Sequence, residues 1–286
     1  MRALITGGGG QLARAWTRAA GPGWEVSALT RSQLDIGDEA ATAQAVEALR
    51  PDVIVNAAAF TAVDLAQREE AAAWRTNRDG ARNLARAAQR CGARLAQIST
   101  DFVFDGRSPR PYKPGDATSP LNVYGASKRG GEEAVSEILP QALIVRTAWV
   151  YDGQGANFLT TMLRLMSTEA PVRVVDDQIG TPTSAASLAE GLWRLIEIGA
   201  EGLWHYTDAG VASWYDFAQA IAEEALAAGR APAAVRVMPI NTSDYPTAAP
   251  RPAFGVLDKS RTWTLLGAPA AHWRLALRAV LAGMEG

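Results

Sequence analysis

A tyrosine and a lysine four positions apart are the residues of this sequence best suited to move a proton. Tyr124 and Lys128 enclose the segment Tyr-Gly-Ala-Ser-Lys, and on a helix this spacing places both side chains on one face. A free phenol has a pKa of about 10 and is a poor acid or base at neutral pH. A neighbouring ammonium group lowers that pKa toward the working range. We therefore predict that the pair exchanges a proton with a carbonyl oxygen of a bound molecule.

A hydroxyl group that could polarise the same carbonyl stands at the end of a predicted strand. Ser99 and Thr100 close an apolar run, and Asp101 and Phe102 follow directly. Parallel sheets bind their ligands at the carboxyl ends of the strands, so we expect Thr100 to be catalytic, with Ser99 as the alternative. We expect Asp101 and Phe102 to contact substrate. For Asp101 a turn-forming role outweighs a catalytic one. The alternative for the whole group is an exposed Tyr/Lys pair on a solvated helix and a Ser/Thr cluster that caps a turn.

Strands and helices must alternate in the first half of the chain to bring these residues together. Short apolar runs predict strands at Ala3–Thr6, Glu25–Leu29, Val53–Asn56, Leu95–Ser99 and Leu143–Arg146. Ala/Arg/Glu-rich segments predict helices at Gln11–Ala20, Asp38–Leu49 with Asp38 as N-cap, Glu69–Arg90 and Asn122–Ile138. This alternation predicts an α/β fold with a Rossmann-like, doubly wound parallel sheet.

The pattern loosens in the second half, where proline-bearing loops separate the predicted helices. These helices are Ser184–Ile198, Trp214–Ala228 and Ala271–Ala282. We predict that residues 1–150 form a nucleotide-binding domain. Residues 151–286 form mainly a smaller substrate-binding lobe, with some later segments returning to the first domain.

A glycine-rich loop follows the first predicted strand and opens the first helix. It places Gly7, Gly10 and the small Ala13 at the spacing G-x-x-G-x-x-A, which suits a sharp turn and a close approach of the backbone to a pyrophosphate. The helix that starts at Gln11 and Leu12 presents free N–H groups and the positive end of its dipole to the phosphates. A merely flexible tetraglycine loop is the alternative. The position of the loop between strand and helix favours a dinucleotide cofactor.

The end of the second predicted strand indicates which dinucleotide binds. Thr30 and Arg31 stand where an acidic residue would bind the ribose hydroxyls of NAD. An arginine can instead neutralise the extra phosphate of NADP, so we predict NADPH, with NADH as the alternative. Asp35 and Ile36 could contact the adenine edge, although Asp35 could equally be a plain helix-approach residue. An oxidised nicotinamide would further favour the phenolate of the catalytic tyrosine, and the lysine could hold the nicotinamide ribose.

Composition excludes several classes of protein. The chain has 286 residues, 48% of them hydrophobic, and a formal net charge of −2, which offers no electrostatic footprint for nucleic acid or an anionic membrane. One cysteine, Cys91, rules out a disulfide within the chain, and two histidines, His205 and His272, rule out a Cys/His zinc cluster. No segment approaches the length of a membrane span. We therefore expect a soluble, cytoplasmic protein without partners of these kinds, and without a metal.

Together these residues resemble the extended short-chain dehydrogenase/reductase family, and within it the reductases of dTDP-linked 4-keto-6-deoxysugars. The resemblance spans nearly the whole chain. Its motifs are Arg50–Ala59, Thr61–Asp64, Ser99–Phe104, Ser119–Gly125, Arg146–Tyr151, Asp177–Thr183 and Arg251–Pro252.

The resemblance implies a substrate and further site residues. It implies reduction of the 4-keto group of dTDP-4-dehydro-L-rhamnose to dTDP-L-rhamnose for cell-surface polysaccharide, and it assigns the catalytic roles to Thr100, Tyr124 and Lys128. Ala57, Ala58 and Ala59 would lie along the nicotinamide. The residues expected to bind the sugar nucleotide are Trp149, Asn157, Gln178 and Arg251. For Trp149 a role as a core aromatic is an equal alternative.

Departures from the family pattern affect the finer expectations. Phe60, Gln67 and Phe102 replace residues that are usually Tyr or His, Glu, and Tyr, so polar groups near the cleft are lost. Ala15 replaces a glutamate through which some members bind magnesium at a dimer interface, so we predict no such metal and leave monomer and homodimer open.

Three alternatives to this reductase remain. A reductase or epimerase of another nucleotide 4-keto-6-deoxysugar would use the same scaffold. A dehydratase would need a glutamate after Asp101, where Phe102 stands. A non-catalytic, reductase-like regulatory subunit is disfavoured by the intact Tyr124/Lys128 pair.

Overall fold

Strands and helices alternate along the chain, in close agreement with the predicted segments of the first half. The computed structural model describes residues 1–168, 171–230 and 235–284. The strands are β1 (Arg2–Thr6), β2 (Glu25–Leu29), β3 (Val53–Asn56), β4 (Arg94–Thr100), β5 (Leu143–Thr147), β6 (Val150–Tyr151), β7 (Val172–Val175), β8 (Ile179–Gly180), β9 (Thr183–Ser184), β10 (Gly202–His205), β11 (Ala212–Ser213) and β12 (Val237–Ile240). The helices are α1 (Gln11–Ala19), α2 (Glu39–Leu49), α3 (Val63–Ala66), α4 (Glu70–Trp74), α5 (Gly80–Cys91), α6 (Val123–Ile138), α7 (Phe158–Met166), α8 (Ala185–Glu197), α9 (Trp214–Ala227), α10 (Ser260–Leu266) and α11 (Trp273–Ala282).

Six of these strands form one parallel sheet in the order β10-β5-β4-β3-β1-β2. From β1 the chain builds outward first to β2 on one side and then to β3 on the other, so the direction of winding reverses between β1 and β3. Ligands of open α/β sheets bind in the crevice at such a switch point. The predicted Rossmann-like, doubly wound sheet is confirmed.

Helices cover both faces of the sheet, which explains the nearly continuous apolar strands. On one face, α1 and α8 pack together over β1 and β5, and the indole of Trp193 donates a hydrogen bond of 2.9 Å to the carbonyl of Trp16. On the other face, α2, α5 and α6 enclose a second core that includes Leu84 and Ile54. The central sheet is therefore packed on both faces. Its inner strands also carry buried polar side chains, and Asn56 on β3 donates to Gln97 on β4 at 2.8 Å.

One predicted helix is not continuous in the structure. Instead of one helix over Glu69–Arg90, α4 and α5 are joined by a π turn at Arg75–Asp79. The turn carries the buried Asn77, whose amide accepts from Phe60 N at 2.8 Å and donates to Ser127 Oγ at 2.9 Å. A π turn of this kind re-aims side chains, and here it ties the loop after β3 to α6.

The later part of the chain contributes to two layers. Strand β10 pairs with β5, and α8 packs on α1, so both belong to the central sheet and its covering layer. Helix α10 packs on α8 and β10, whereas α7, α9, α11 and the parallel pair β7–β12 form a separate core. This second core lies after β5 and supplies the side chains opposite the glycine loop.

Candidate active site

Helix α6 places Tyr124 and Lys128 one turn apart at its start. Asn122 caps the helix, because its side chain accepts a hydrogen bond of 2.9 Å from Gly125 N. A Cβ atom at Gly125 would come within 2.1 Å of the carbonyl oxygen of Phe102. Only glycine allows this contact, which brings the first turn of the helix directly against the segment that follows β4.

Burial sets the protonation of the phenol. Burial raises the pKa of Tyr124 to about 12, the nearby Asp101 adds to this rise, and an interaction with the Thr100 hydroxyl opposes it. The predicted lowering by Lys128 is therefore wrong for this structure, in which the ammonium donates to the carbonyl of Ile98 at 2.6 Å. A phenol that keeps its proton at neutral pH is suited to give that proton to a developing alkoxide.

Lys128 is one of the few buried cations of the protein. It is 4% exposed, and burial lowers the pKa of its ammonium to about 8, although the Glu132 carboxylate on the next turn favours the charged form. Its position beside Tyr124 and against the end of β4 leaves it within the same cavity. The ammonium of Lys128 is thus placed to interact with the ribose of a cofactor and with the carbonyl group of a substrate.

Thr100, Asp101 and Phe102 lie at the carboxyl end of β4, as predicted. The Thr100 hydroxyl donates to Asp101 Oδ1 at 3.0 Å, and the Phe102 ring meets the Tyr124 ring edge to face at 5.5 Å between centroids. Burial raises the pKa of Asp101 to about 7, although hydrogen bonds from Thr100 and from backbone N–H groups favour the carboxylate. Among the described residues Asp101 Oδ2 has no hydrogen-bond partner. It is buried against Gly255.

The glycine loop has the geometry that a dinucleotide requires. Gly7 has a φ of +71°, and a Cβ there would lie 2.8 Å from Ala58 Cα. Gly8, which sequence reasoning did not single out, would clash in the same way with the carbonyl of Ala28 at 2.9 Å. Gly10 precedes α1, whose first residue, Gln11, donates to the carbonyl of Val150 at 2.8 Å. Backbone rather than side chains thus lines the crevice between β1 and β3.

Residues after β2 and β3 complete the cofactor side. Arg31 lines the cavity and has no hydrogen-bond or ion-pair partner in the described part of the chain. Asp35 forms a 2.9 Å ion pair with Arg75, so its carboxylate is partly neutralised and helps to hold the approach to α2. Ile36 is buried beneath Gly80. Arg31, unpaired within the described residues, and the apolar Ile36 fit an adenine dinucleotide that carries an extra phosphate.

A single cavity of about 1040 Å³ joins these groups. Its volume suits a dinucleotide and a second ligand together. The predicted site residues that line it are Gly7, Gly10, Gln11, Leu12, Arg31, Asp35, Ile36, Ala57, Ala58, Ala59, Thr100, Asp101, Phe102, Tyr124, Lys128, Trp149, Gln178 and Arg251. Phe60 also lines it, whereas Gln67 accepts a hydrogen bond of 3.3 Å from Val123 N at the start of α6.

Asn157 is the one predicted site residue outside this lining. Its side chain forms the N-cap of α7, where it accepts from Thr160 N at 3.1 Å and donates to the carbonyl of Asp152 at 2.8 Å. Both ends of the amide are thus occupied by the backbone. The structure does not bring Asn157 to the substrate side of the cavity.

The substrate side is built from aromatic residues that are distant in sequence. Trp149 has a φ of +48° and stacks on Trp214 with 3.5 Å between ring centroids. Trp214 also contacts Phe158, at 4.6 Å between centroids. Sequence reasoning missed Trp214, Phe158, Arg173 and Tyr245, all of which line the cavity. The only available signal was their position in loop-bounded segments of the second half.

The described part of the chain contains neither a cluster of metal ligands nor a helix that could span a membrane. Across residues 1–168, 171–230 and 235–284, no group of three or more His, Cys, Asp or Glu side chains could hold a metal ion. None of the helices in these ranges is long and apolar enough to cross a membrane. Ala15 is buried in the core shared by α1 and α8.

Known proteins are similar to this chain in sequence and in fold. The family described as "RmlD substrate binding domain" matches residues 1–285. A dTDP-4-dehydrorhamnose reductase of Mycobacterium tuberculosis is 45% identical over 289 residues, covering 98% of this chain and 92% of that protein. A dTDP-4-keto-6-deoxy-D-glucose reductase of Streptomyces niveus is 41% identical, covering 96% and 95%. The crystal structure of a Bacillus anthracis dTDP-4-dehydrorhamnose reductase in complex with NADP has a TM-score of 0.91 at 36% identity and covers 98% of each chain. With Thr100, Tyr124 and Lys128 gathered in one cavity, this chain belongs to the dTDP-4-dehydrorhamnose reductase family, RmlD.

Proposed function

We propose that the chain reduces the 4-keto group of dTDP-4-dehydro-L-rhamnose with NADPH and so forms dTDP-L-rhamnose. The observation that carries this proposal is the cavity itself. It runs from the glycine loop past Thr100, Tyr124 and Lys128 to the aromatic wall around Trp149. A cofactor and a sugar nucleotide can therefore meet at the phenol.

The residues divide the chemistry between them. The glycine loop and residues 57–59 would hold the nicotinamide cofactor, which would supply a hydride to the carbonyl carbon. The Thr100 hydroxyl turns from Asp101 Oδ1, to which it donates in this structure, and polarises the carbonyl oxygen by donating to it. Neutral Tyr124 gives that oxygen its proton. Lys128 holds positive charge beside the phenol and binds the ribose, and Asp101 and Phe102 bound the cavity next to the sugar. The stacked indoles of Trp149 and Trp214 form an apolar wall beside the sugar or base.

The direct test is a reduction assay. Purified chain would be mixed with NADPH and enzymatically generated dTDP-4-dehydro-L-rhamnose, and loss of absorbance of the reduced cofactor would be followed. We expect oxidation of NADPH that depends on the sugar nucleotide. A rate no higher than that of the Tyr124→Phe variant would exclude the reductase.

A second candidate substrate is another dTDP-linked 4-keto-6-deoxysugar. The Streptomyces niveus relative supports it, since it is named a dTDP-4-keto-6-deoxy-D-glucose reductase. Reduction of either sugar would use the same catalytic residues of this chain. The shape of the substrate pocket would decide which sugar is preferred. Comparison of kcat/KM for the two sugars separates them, and the higher value for dTDP-4-dehydro-L-rhamnose is expected. We also propose a cytoplasmic enzyme that acts as a monomer or homodimer.

Arg31 should decide the choice of cofactor. We expect Arg31→Ala to weaken NADPH binding roughly tenfold or more, the size of a lost charge-assisted hydrogen bond. NADH binding should stay the same, because NADH lacks the 2′-phosphate. Fluorescence titration of both cofactors measures this difference, and equal losses would remove Arg31 from the phosphate site.

The pH dependence should follow Lys128. Because burial lowers the pKa of its ammonium to about 8, the charged form is present below that pH and is lost above it. We therefore expect kcat/KM for the sugar nucleotide to fall as pH rises through about 8, well before an ordinary lysine at about 10.4 would titrate. A pH–rate profile at constant ionic strength tests this, and a flat profile up to pH ~10 would contradict the assigned role.

A further inference from the structure

An ion pair joins the two walls of the cavity. Arg251 Nη1 and Nη2 donate to Asp64 Oδ1 and Oδ2 at 2.7 and 2.6 Å. Asp64 lies in α3, which follows β3 and the cofactor wall, while Arg251 lies in the loop before Phe254 on the substrate side. The Arg251 guanidinium holds the pKa of Asp64 at about 2, so the carboxylate is charged throughout the neutral range.

The hydrogen bonds of Arg251 leave one edge of its guanidinium unused. A guanidinium carries five N–H groups. Nη1 uses both of its own, on Asp64 Oδ1 and on the carbonyl of Ala249 at 2.6 Å, and Nη2 uses one on Asp64 Oδ2. Within the described residues, no acceptor is found for the Nε–H or for the second N–H of Nη2. These two donors lie side by side, and Arg251 lines the cavity.

Asp64 also fixes the loop that carries Arg251. Its Oδ1 accepts from Ala249 N at 2.9 Å, so the same carboxylate holds both the backbone and the guanidinium. The next residue, Pro250, accepts from Asn122 Nδ2 at 2.8 Å, and Asn122 caps the helix of Tyr124. The carboxylate thus sets the place of Arg251 relative to the catalytic phenol.

We propose that Asp64 is a positioning residue for substrate binding, which holds Arg251 so that its free two-donor edge binds the diphosphate of the sugar nucleotide. The inference rests on the proposed function, because it takes a nucleoside diphosphate sugar as the ligand. Two parallel N–H groups match two phosphate oxygens. A lysine could neutralise Asp64 but could not offer this edge.

The variant Asp64→Asn isolates the positioning role. Its amide oxygen still accepts from Ala249 N, but the second acceptor oxygen and the charge are lost. We expect the dissociation constant for dTDP, measured by titration calorimetry on the full chain, to rise roughly tenfold. KM for the sugar nucleotide should rise by a similar factor, while kcat and NADPH affinity stay within about twofold. Arg251→Lys should lose dTDP affinity to the same extent.

The chain contains a matched control. Asp116 forms the same two-point pair with Arg110, at 2.8 and 3.0 Å, on an exposed loop outside the cavity. Asp116→Asn should leave dTDP binding unchanged while shifting the thermal midpoint as much as Asp64→Asn does.

The measurements distinguish an incorrect role for Asp64 from an incorrect reaction for the whole chain. Wild-type affinity for dTDP in Asp64→Asn, or an equal loss of NADPH affinity, would overturn the positioning role while wild-type turnover stays intact. If the proposed function fails, the wild-type chain itself will neither bind dTDP nor oxidise NADPH with the sugar nucleotide.

Discussion

Replacement of Tyr124 by Phe is expected to lower kcat roughly 10²–10⁴-fold, the usual contribution of a positioned general acid. The variant keeps the ring and its edge-to-face contact with Phe102 but has no proton to give. Affinities for NADPH and dTDP should therefore stay close to wild type. Steady-state kinetics and calorimetric titrations on the same preparation measure both quantities.

A tyrosine away from the cavity provides the control for this substitution. Tyr215 packs against the core of α7, α9 and α11 and does not line the cavity. Tyr215→Phe should leave kcat unchanged. If Tyr124→Phe retained more than about a tenth of wild-type kcat, a loss below the usual range for a general acid, another group would be the proton donor.

Replacement of Glu132 by Ala is expected to destabilise the protein by about 3–5 kcal/mol. Glu132 lies one turn beyond Lys128, and its two carboxylate oxygens accept from Arg146 Nε and Nη2 on β5 at 2.8 and 2.7 Å. Both side chains are nearly fully buried, 8% and 4% exposed. Removal of the carboxylate leaves a buried guanidinium without its counter-charge. Denaturant unfolding monitored by circular dichroism measures the loss.

The neighbouring residue on α6 is a matched control for burial. Glu133 pairs with Arg129 at 2.7 Å, but their side chains are 61% and 42% exposed. Glu133→Ala should therefore cost ~0.5 kcal/mol or less, as exposed helix pairs do. Similar losses for the two glutamates would mean that the pair with Arg146 does not anchor α6 to the sheet.

The parts of the site that depend on local sequence could be predicted. The glycine loop, the end of β4 and the start of α6 each combine a periodic segment with a terminus signal. Asp38, for example, caps α2 through Ala41 N as expected. Once a parallel sheet is inferred, the carboxyl ends of its strands must meet at one edge.

The parts of the site that depend on long-range contacts could not be predicted from the sequence. Trp149 and Trp214 are far apart in sequence, and no periodicity reveals that they stack. Asn157 has a residue type suited both to capping and to binding, and only the backbone around Asp152 shows that capping uses the whole amide. The raised pKa of Tyr124 follows from burial in the folded site, which spacing alone does not predict.

Transfer of an isotopic label tests the central claim most directly. The wild-type chain would be supplied with NADPH deuterated at the reactive carbon of the nicotinamide and with dTDP-4-dehydro-L-rhamnose, and the product would be analysed by NMR. We predict deuterium at C4 of dTDP-L-rhamnose. Product without deuterium at that carbon, or label on any other carbon of the sugar, would contradict direct reduction of the 4-keto group at this site.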